Sequence, residues 1–119
     1  MEIYTATPDY AHAAEVRAPE RFLFTSGTMG LDAAGVAPPT LAEQLDRVWA
    51  NLRAILAAHG MTVDDVVRVT SYLREAAYAE ENARARVAAL GGRAVPTTAV
   101  VVGTLEPDWL IEIELVAAR

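Results

Sequence analysis

Apolar residues recur at spacings of three and four from Leu41 to Leu56, at Leu41, Leu45, Val48, Leu52, Ile55 and Leu56. That period lays them along one stripe of a helix. Thr40 and Glu43 predict a capping box at its start, the hydroxyl accepting from the Glu43 amide and the carboxylate reaching back to the Thr40 amide. Gly60 predicts its end, because glycine takes the left-handed conformation after a helix without steric cost. A shorter helix is predicted from about Ala77 to Leu90, with Ala79, Ala83, Val87 and Leu90 inward. Glu80 and Arg84 form an i,i+4 pair on it, and Gly91-Gly92 stops it.

Elsewhere the period is two. From Val66 to Leu73, Val67, Val69, Ser71 and Leu73 alternate with Arg68, Thr70 and Tyr72, which predicts a strand. Phe22 to Thr25 is another, closed by Ser26-Gly27. Weaker strand signals lie at Glu2 to Thr5, broken by Pro8-Asp9, and at Ala13 to Arg17, ended by Ala18-Pro19. Met29 to Pro39, with Gly30, Asp32, Gly35 and Pro38, reads as loop. The C-terminal quarter holds two β-patterned runs, Pro96 to Thr104 and Trp109 to Val116, around a Leu105-Glu106-Pro107-Asp108 break. The second run places Glu112 and Glu114 on one face and Ile111, Ile113 and Leu115 on the other.

The order ββ(β)αβαββ predicts one α+β domain over residues 1–119, a single largely antiparallel sheet with two helices on one face. Ala99, Val100, Val101 and Val102 are apolar on both sides of their strand, the pattern of a strand covered twice. Two helices supply one cover, so self-association is the simplest second one.

Composition narrows the chemistry. Of 119 residues, 53% are hydrophobic, above the average of about 45–50%. No apolar run approaches the ~18 residues of a membrane span, and the start lacks a secretory pattern, so a cytoplasmic protein is expected. The net charge is −6, with the arginines spread along the chain. Nucleic acid, which requires a basic footprint, is therefore not an expected partner. There is no cysteine and no lysine; all ten basic residues are arginine. Thiolate chemistry and lysine Schiff bases are excluded, so any imine chemistry must act on a C=N that arrives ready formed. His12 and His59 stand isolated, and no metal site is expected from them. His59, before Gly60, suits a helix C-terminus.

Phe24-Thr25-Ser26-Gly27, Pro96-Thr97-Thr98 and Ile111-Glu112-Ile113-Glu114 together resemble the RidA/YjgF family of imine and enamine deaminases, some of which carry an endoribonuclease label. The resemblance covers nearly the whole chain. It implies a homotrimer whose sheets close into a central barrel (a chorismate mutase-like assembly), with sites between subunits. It also implies cofactor-free hydrolysis of a small-molecule imine or enamine, releasing ammonia or amine. That reaction needs a pocket for the C=N, donors that favour the iminium, and a carboxylate to orient the attacking water.

On this resemblance Glu112 is the catalytic carboxylate. Tyr10, within Asp9-Tyr10-Ala11-His12, reaches a neighbouring subunit's pocket, and Ser26, Gly27 and Asn82 contact substrate. Thr98 stands where the deaminases have an arginine that grips the substrate's α-carboxylate, and Val100 where they often have cysteine. The lost arginine points to a substrate other than small α-imino acids, unless Arg17, Arg68 or Arg74 replaces it. The alternative is a non-catalytic member of the same fold that binds a small metabolite or serves as an oligomeric partner.

Overall fold

The structure, a computed structural model, describes residues 9–119 throughout and, for residues 2–7, the path of the backbone. Pro8, expected to break the first strand with Asp9, lies outside the described residues. Among the described residues, seven strands and two helices follow one another as β1 (Glu2–Thr7), β2 (Tyr10–Glu15), β3 (Phe22–Phe24), β4 (Thr28–Met29), α1 (Leu41–Ala58), β5 (Val66–Leu73), α2 (Ala79–Ala89), β6 (Thr97–Val101) and β7 (Ile111–Ala118). The architecture is the expected α+β one, with a mixed sheet and two helices.

The main sheet runs β3-β7-β5-β6, and β4 pairs with β7 beyond the end of β3. β5 and β6 run parallel while β3, β4 and β5 pair antiparallel with β7. A parallel pair needs a long crossover, which α2 supplies between β5 and β6. The two β-patterned runs at the C-terminus therefore do not pair with each other; β5 lies between them. β1 and β2 form a separate antiparallel ladder. It joins the main sheet where Ala11 bridges Pro96 and the Ala11 amide donates to the Val95 carbonyl at 3.0 Å.

The core lies between the helices and the inner sheet face. Leu45, Val48, Trp49, Leu52 and Leu56 of α1 meet Val69 and Leu73 of β5 and Ile111, Ile113 and Leu115 of β7, all buried. Gln44 is buried with them and ties α1 to the loops. Its Nε2 donates to the carbonyls of Pro38 and Asp108 at 2.9 and 2.8 Å, and its Oε1 accepts from the Leu110 amide at 3.0 Å. No helix among the described residues is long and apolar enough to cross a membrane.

Several local expectations change. Only half of the capping box forms at α1: Thr40 Oγ1 accepts from the Glu43 amide at 3.2 Å. A complete box instead starts the 3₁₀ turn Val63–Asp65, where Thr62 accepts from the Asp64 amide and Asp65 reaches back to the Thr62 amide. The buried face of α2 carries Asn82, Arg86 and Ala89 rather than Ala79, Ala83 and Val87. Alanine is nearly neutral in transfer free energy, so an alanine-rich helix gives its hydrophobic period little contrast. Arg86 enters because its guanidinium has acceptors inside: it donates to the Asp9 carbonyl at 3.1 Å and lies 3.8 Å from the Asp9 carboxylate. Burial lowers its pKa, and Asp9 opposes that shift. β2 begins at Tyr10, earlier than its sequence pattern, and β4 forms inside a stretch that reads as turn and loop. Gly60, Gly91 and Gly92 take positive φ values of 69, 63 and 82°, as the helix-stop reading requires.

Candidate active site

The outer face of the sheet, away from the helices, carries the chemistry. Alternation along β5 sends Arg68, Thr70 and Tyr72 to that face, and along β7 it sends Glu112 and Glu114. In register, Tyr72 stands opposite Glu112 on one side and Val100 on the other, while Thr70 stands opposite Glu114 and Thr98. Directly opposed side chains on one face have Cβ atoms about 4.5–5.5 Å apart, so two carboxylates, a phenol and a hydroxyl are set close together.

A shallow pocket of about 290 Å³ opens over this group, lined by Gly27, Tyr72, Glu112, Glu114 and the loop from Val102 to Leu105. β4 pairs Met29 with Glu112, which brings the preceding Gly27 over the Glu112 side chain. A Cβ at Gly27 would lie 2.8 Å from Glu112 Cδ and closer still to Oε1. The missing side chain is thus what gives the carboxylate its place. Tyr72 donates its hydroxyl proton to Glu114 Oε1. That hydrogen bond, with desolvation and the charges of Glu114 and Glu112, raises the Tyr72 pKa above its ordinary 10.0, and Arg68 pulls the other way. The phenol is a held proton donor. The rim is fastened by Arg74, whose Nη1 donates to the Thr104 carbonyl and hydroxyl at 3.1 and 2.7 Å and to the Glu106 carbonyl at 3.3 Å. Arg74 is therefore engaged on the loop, and among the described residues no basic side chain lines the pocket.

The expected site residues fall in different places. Glu112 and Gly27 meet in the pocket. Ser26 is the neighbouring residue, exposed, and its carbonyl accepts from Thr28 Oγ1 at 3.2 Å. Thr98 shares the sheet face but lies outside the pocket lining, exposed, with its hydroxyl accepting from Arg68 Nη2 at 3.2 Å. Tyr10, half-buried at the start of β2, sits edge-on to His12 with ring centroids 6.0 Å apart. Asn82 is buried on α2, its Oδ1 without a hydrogen-bond partner. Tyr72 and its bond to Glu114 were not anticipated as site features; alternation gives Tyr72 its face, but only the register sets it beside the two carboxylates. Among the described residues no group of three or more His, Cys, Asp or Glu is placed to hold a metal ion.

A mixed sheet with helices on one face and an acidic pocket on the other, Gly27 lying over its carboxylate, makes this a small α+β domain, and comparison with known proteins identifies the family. The model of the family described as Endoribonuclease L-PSP matches residues 3–119. A RutC family protein of Pyrococcus horikoshii is 32% identical over 111 residues, covering 82% of this chain and 79% of the relative. Among solved structures, the conserved Rid family protein YyfB of Yersinia pestis is similar at 29% identity, with a TM-score of 0.79 and coverage of 94% of this chain and 89% of that one. RidA of an Antarctic Psychrobacter matches at 25% identity and a TM-score of 0.79, covering 92% of this chain and 88% of that one. The chain belongs to the RidA/YjgF family.

Proposed function

We propose that the protein hydrolyses a reactive imine or enamine, with Glu112 as the residue that orients and deprotonates the attacking water. The observation that carries this reading is the seat of Glu112: its carboxylate lies against Gly27 in a pocket that also holds the Tyr72–Glu114 pair and no cation. An enamine is first protonated at carbon to give the iminium. Two carboxylates and a phenol favour that cation over a neutral C=N, because a preorganised negative field stabilises the charge without reorganisation. Water adds to the iminium carbon while Glu112 accepts its proton. Glu112 then passes that proton to nitrogen and takes up the hydroxyl proton as the carbinolamine collapses, so that the C–N bond breaks and ammonia or amine leaves a carbonyl behind. Tyr72 keeps Glu114 fixed, and Glu112 is the carboxylate left for water.

The acidity of the pocket supports a neutral imine over a small α-imino carboxylate. The same acidity and the net charge of −6 weigh against RNA as a substrate, since phosphates require basic partners.

Assembly enters the reading as well. Val100 and Val101 on β6 and Phe22 and Phe24 on β3 are exposed, Phe24 to 70% and Val101 to 57%. Both edge strands of the main sheet thus present large apolar side chains, which supports a homotrimer as the functional unit.

The test is single-turnover hydrolysis of neutral and carboxylated imines by wild type and Glu112→Gln. The substitution keeps the shape and removes the charge, so turnover should fall by ~10²–10⁴-fold. Equal rates on every active substrate would remove Glu112 from the mechanism, and no activity on any imine would leave a metabolite-binding role.

A further inference from the structure

Gly103 stands in the rim loop of the Glu112 pocket, and nothing in the chain around it calls for glycine. Of the seven glycines, Gly35, Gly60, Gly91 and Gly92 have positive φ. Gly27 and Gly30 admit no Cβ, which would collide with the Glu112 side chain or the Gln44 backbone. Gly103 has neither reason: its φ is not positive, and a Cβ built on it meets no atom within 4 Å. It follows a residue still on the sheet, since the Val102 amide donates to the Leu73 carbonyl at 2.9 Å. Glycine at such a place loses stability relative to alanine, because its unfolded chain is freer. A glycine on a strand often marks a close approach by a ligand or another backbone.

The pocket crosses three strands, from Glu112 and Glu114 on β7, over Tyr72 on β5, to the loop that continues β6. Two strand spacings make that span about 9–10 Å. One side is polar, with two carboxylates and a phenol. The other is formed by Val102, Gly103 and Leu105. Thr104 lies among these three, but its hydroxyl is engaged on the loop, meeting the Arg74 guanidinium and the Trp109 carbonyl at 2.7 Å each. Leu105 is 89% exposed, an apolar side chain left to water at the edge of the recess. With a volume of about 290 Å³, the recess falls at the low end of the roughly 300–1,000 Å³ of ligand pockets. Its occupant is therefore small.

We propose that Gly103 is a specificity-determining residue of this pocket. The room left by its missing side chain takes a compact apolar substituent on the imine carbon, such as an isobutyl group, with Val102 and Leu105 against it. The inference rests on the hydrolase reading of Glu112 and names the substrate class: imines of neutral ketones or aldehydes that carry a short, branched apolar group. A side chain at position 103 would occupy the volume that this group needs.

The experiment compares wild type, Gly103→Ala and Gly103→Val on the imines of acetone and of methyl isobutyl ketone, formed in situ by oxidation of the matching primary amines. Wild type should hydrolyse the larger imine with the higher kcat/KM. Gly103→Val should lower that value by about ten- to a hundredfold, the discrimination one or two methylenes give in an apolar pocket, with little change for the acetone imine. Gly103→Ala should fall between. Both variants should melt at or above the wild-type temperature, because a side chain restricts the unfolded chain where φ permits it, and both should keep the wild-type mass in sedimentation. A nuclear magnetic resonance titration with methyl isobutyl ketone reads the same room without chemistry: the Gly103 amide signal should shift saturably, and Gly103→Val should bind more weakly. If no imine is turned over and the ketone behaves in this way, the hydrolase reading falls and the role of Gly103 stands. If Glu112→Gln loses turnover while Gly103→Val treats both imines as wild type does, the role of Gly103 falls and the hydrolase reading stands. A changed mass or a lowered melting temperature in Gly103→Ala would assign the room to a neighbouring copy or to folding, and would overturn the proposal. Absence of both imine turnover and a ketone shift would overturn it as well.

Discussion

Tyr72 faces Glu112 across the β5–β7 ladder, yet its hydroxyl donates to Glu114, the diagonal neighbour. The consequence is a division between two carboxylates that the chain writes identically. Glu114 is tied to a phenol. Glu112 lies under Gly27, whose lack of a side chain keeps the approach to its oxygens open.

The Tyr72 phenol should ionise above the ordinary pH of 10.0, because Glu114 and Glu112 penalise the phenolate. A folded-state pKa raised above the unfolded one gives stability that is fully present below about pH 10 and lost as pH rises through the folded pKa. Ultraviolet titration should therefore show late tyrosines, since burial raises Tyr78 as well, and Glu114→Gln should bring the Tyr72 midpoint down. An unchanged midpoint would mean that the bond to Glu114 is not what holds the proton.

Two glycines should respond to alanine in opposite ways. At Gly27 the new Cβ meets the far end of the flexible Glu112 side chain, and φ is not positive. Gly27→Ala should thus displace the carboxylate and lower imine turnover at least tenfold, with little change in melting temperature. At Gly30 the Cβ would sit 3.0 Å from the backbone carbon of Gln44 and nearer still to its carbonyl oxygen. A helix backbone cannot swing aside, so Gly30→Ala should destabilise by about 1–3 kcal/mol or more. Chemical denaturation of both variants beside activity assays distinguishes the two effects.

Wild-type protein should hydrolyse 2-aminoacrylate or its imine slowly, since no cation lines the Glu112 pocket. Thr98→Arg should raise that rate by about ten- to a hundredfold if its longer side chain reaches the substrate carboxylate. Wild-type turnover on 2-aminoacrylate equal to that on neutral imines would show that a cation reaches the site after all, with Arg68, 3.2 Å from the Thr98 hydroxyl, the first to replace.

Sedimentation equilibrium at micromolar concentration should report three subunits. Val101→Glu, on the exposed edge of β6, should shift the distribution toward monomer, because a charge buried in an apolar interface has no partner. A stable wild-type monomer would remove the shared-site arrangement.

Most of the elements are legible in the chain. The β5 boundaries match the alternation from Val66 to Leu73, and α1 runs from the residue after the Thr40 cap to just before Gly60. Ile111, Ile113 and Leu115 are buried and Glu112 and Glu114 face outward, as the period of two requires. The inner face of α2 was not legible, because its alanines carry little signal and its inward residues, Asn82 and Arg86, are polar. Nor was β4, two residues long and defined by its partner in β7 rather than by any pattern of its own.

Local periodicity and the list of missing residue types are properties of the chain alone. They determined the helices, the longer strands, the outward carboxylates and the exclusion of thiol and lysine chemistry. Which carboxylate is held and which is open, and which arginine stands beside Thr98, were decided only by tertiary structure. Those relations join residues 30 to 85 positions apart in sequence, and they depend on strand register, where a shift of one residue turns every side chain to the other face.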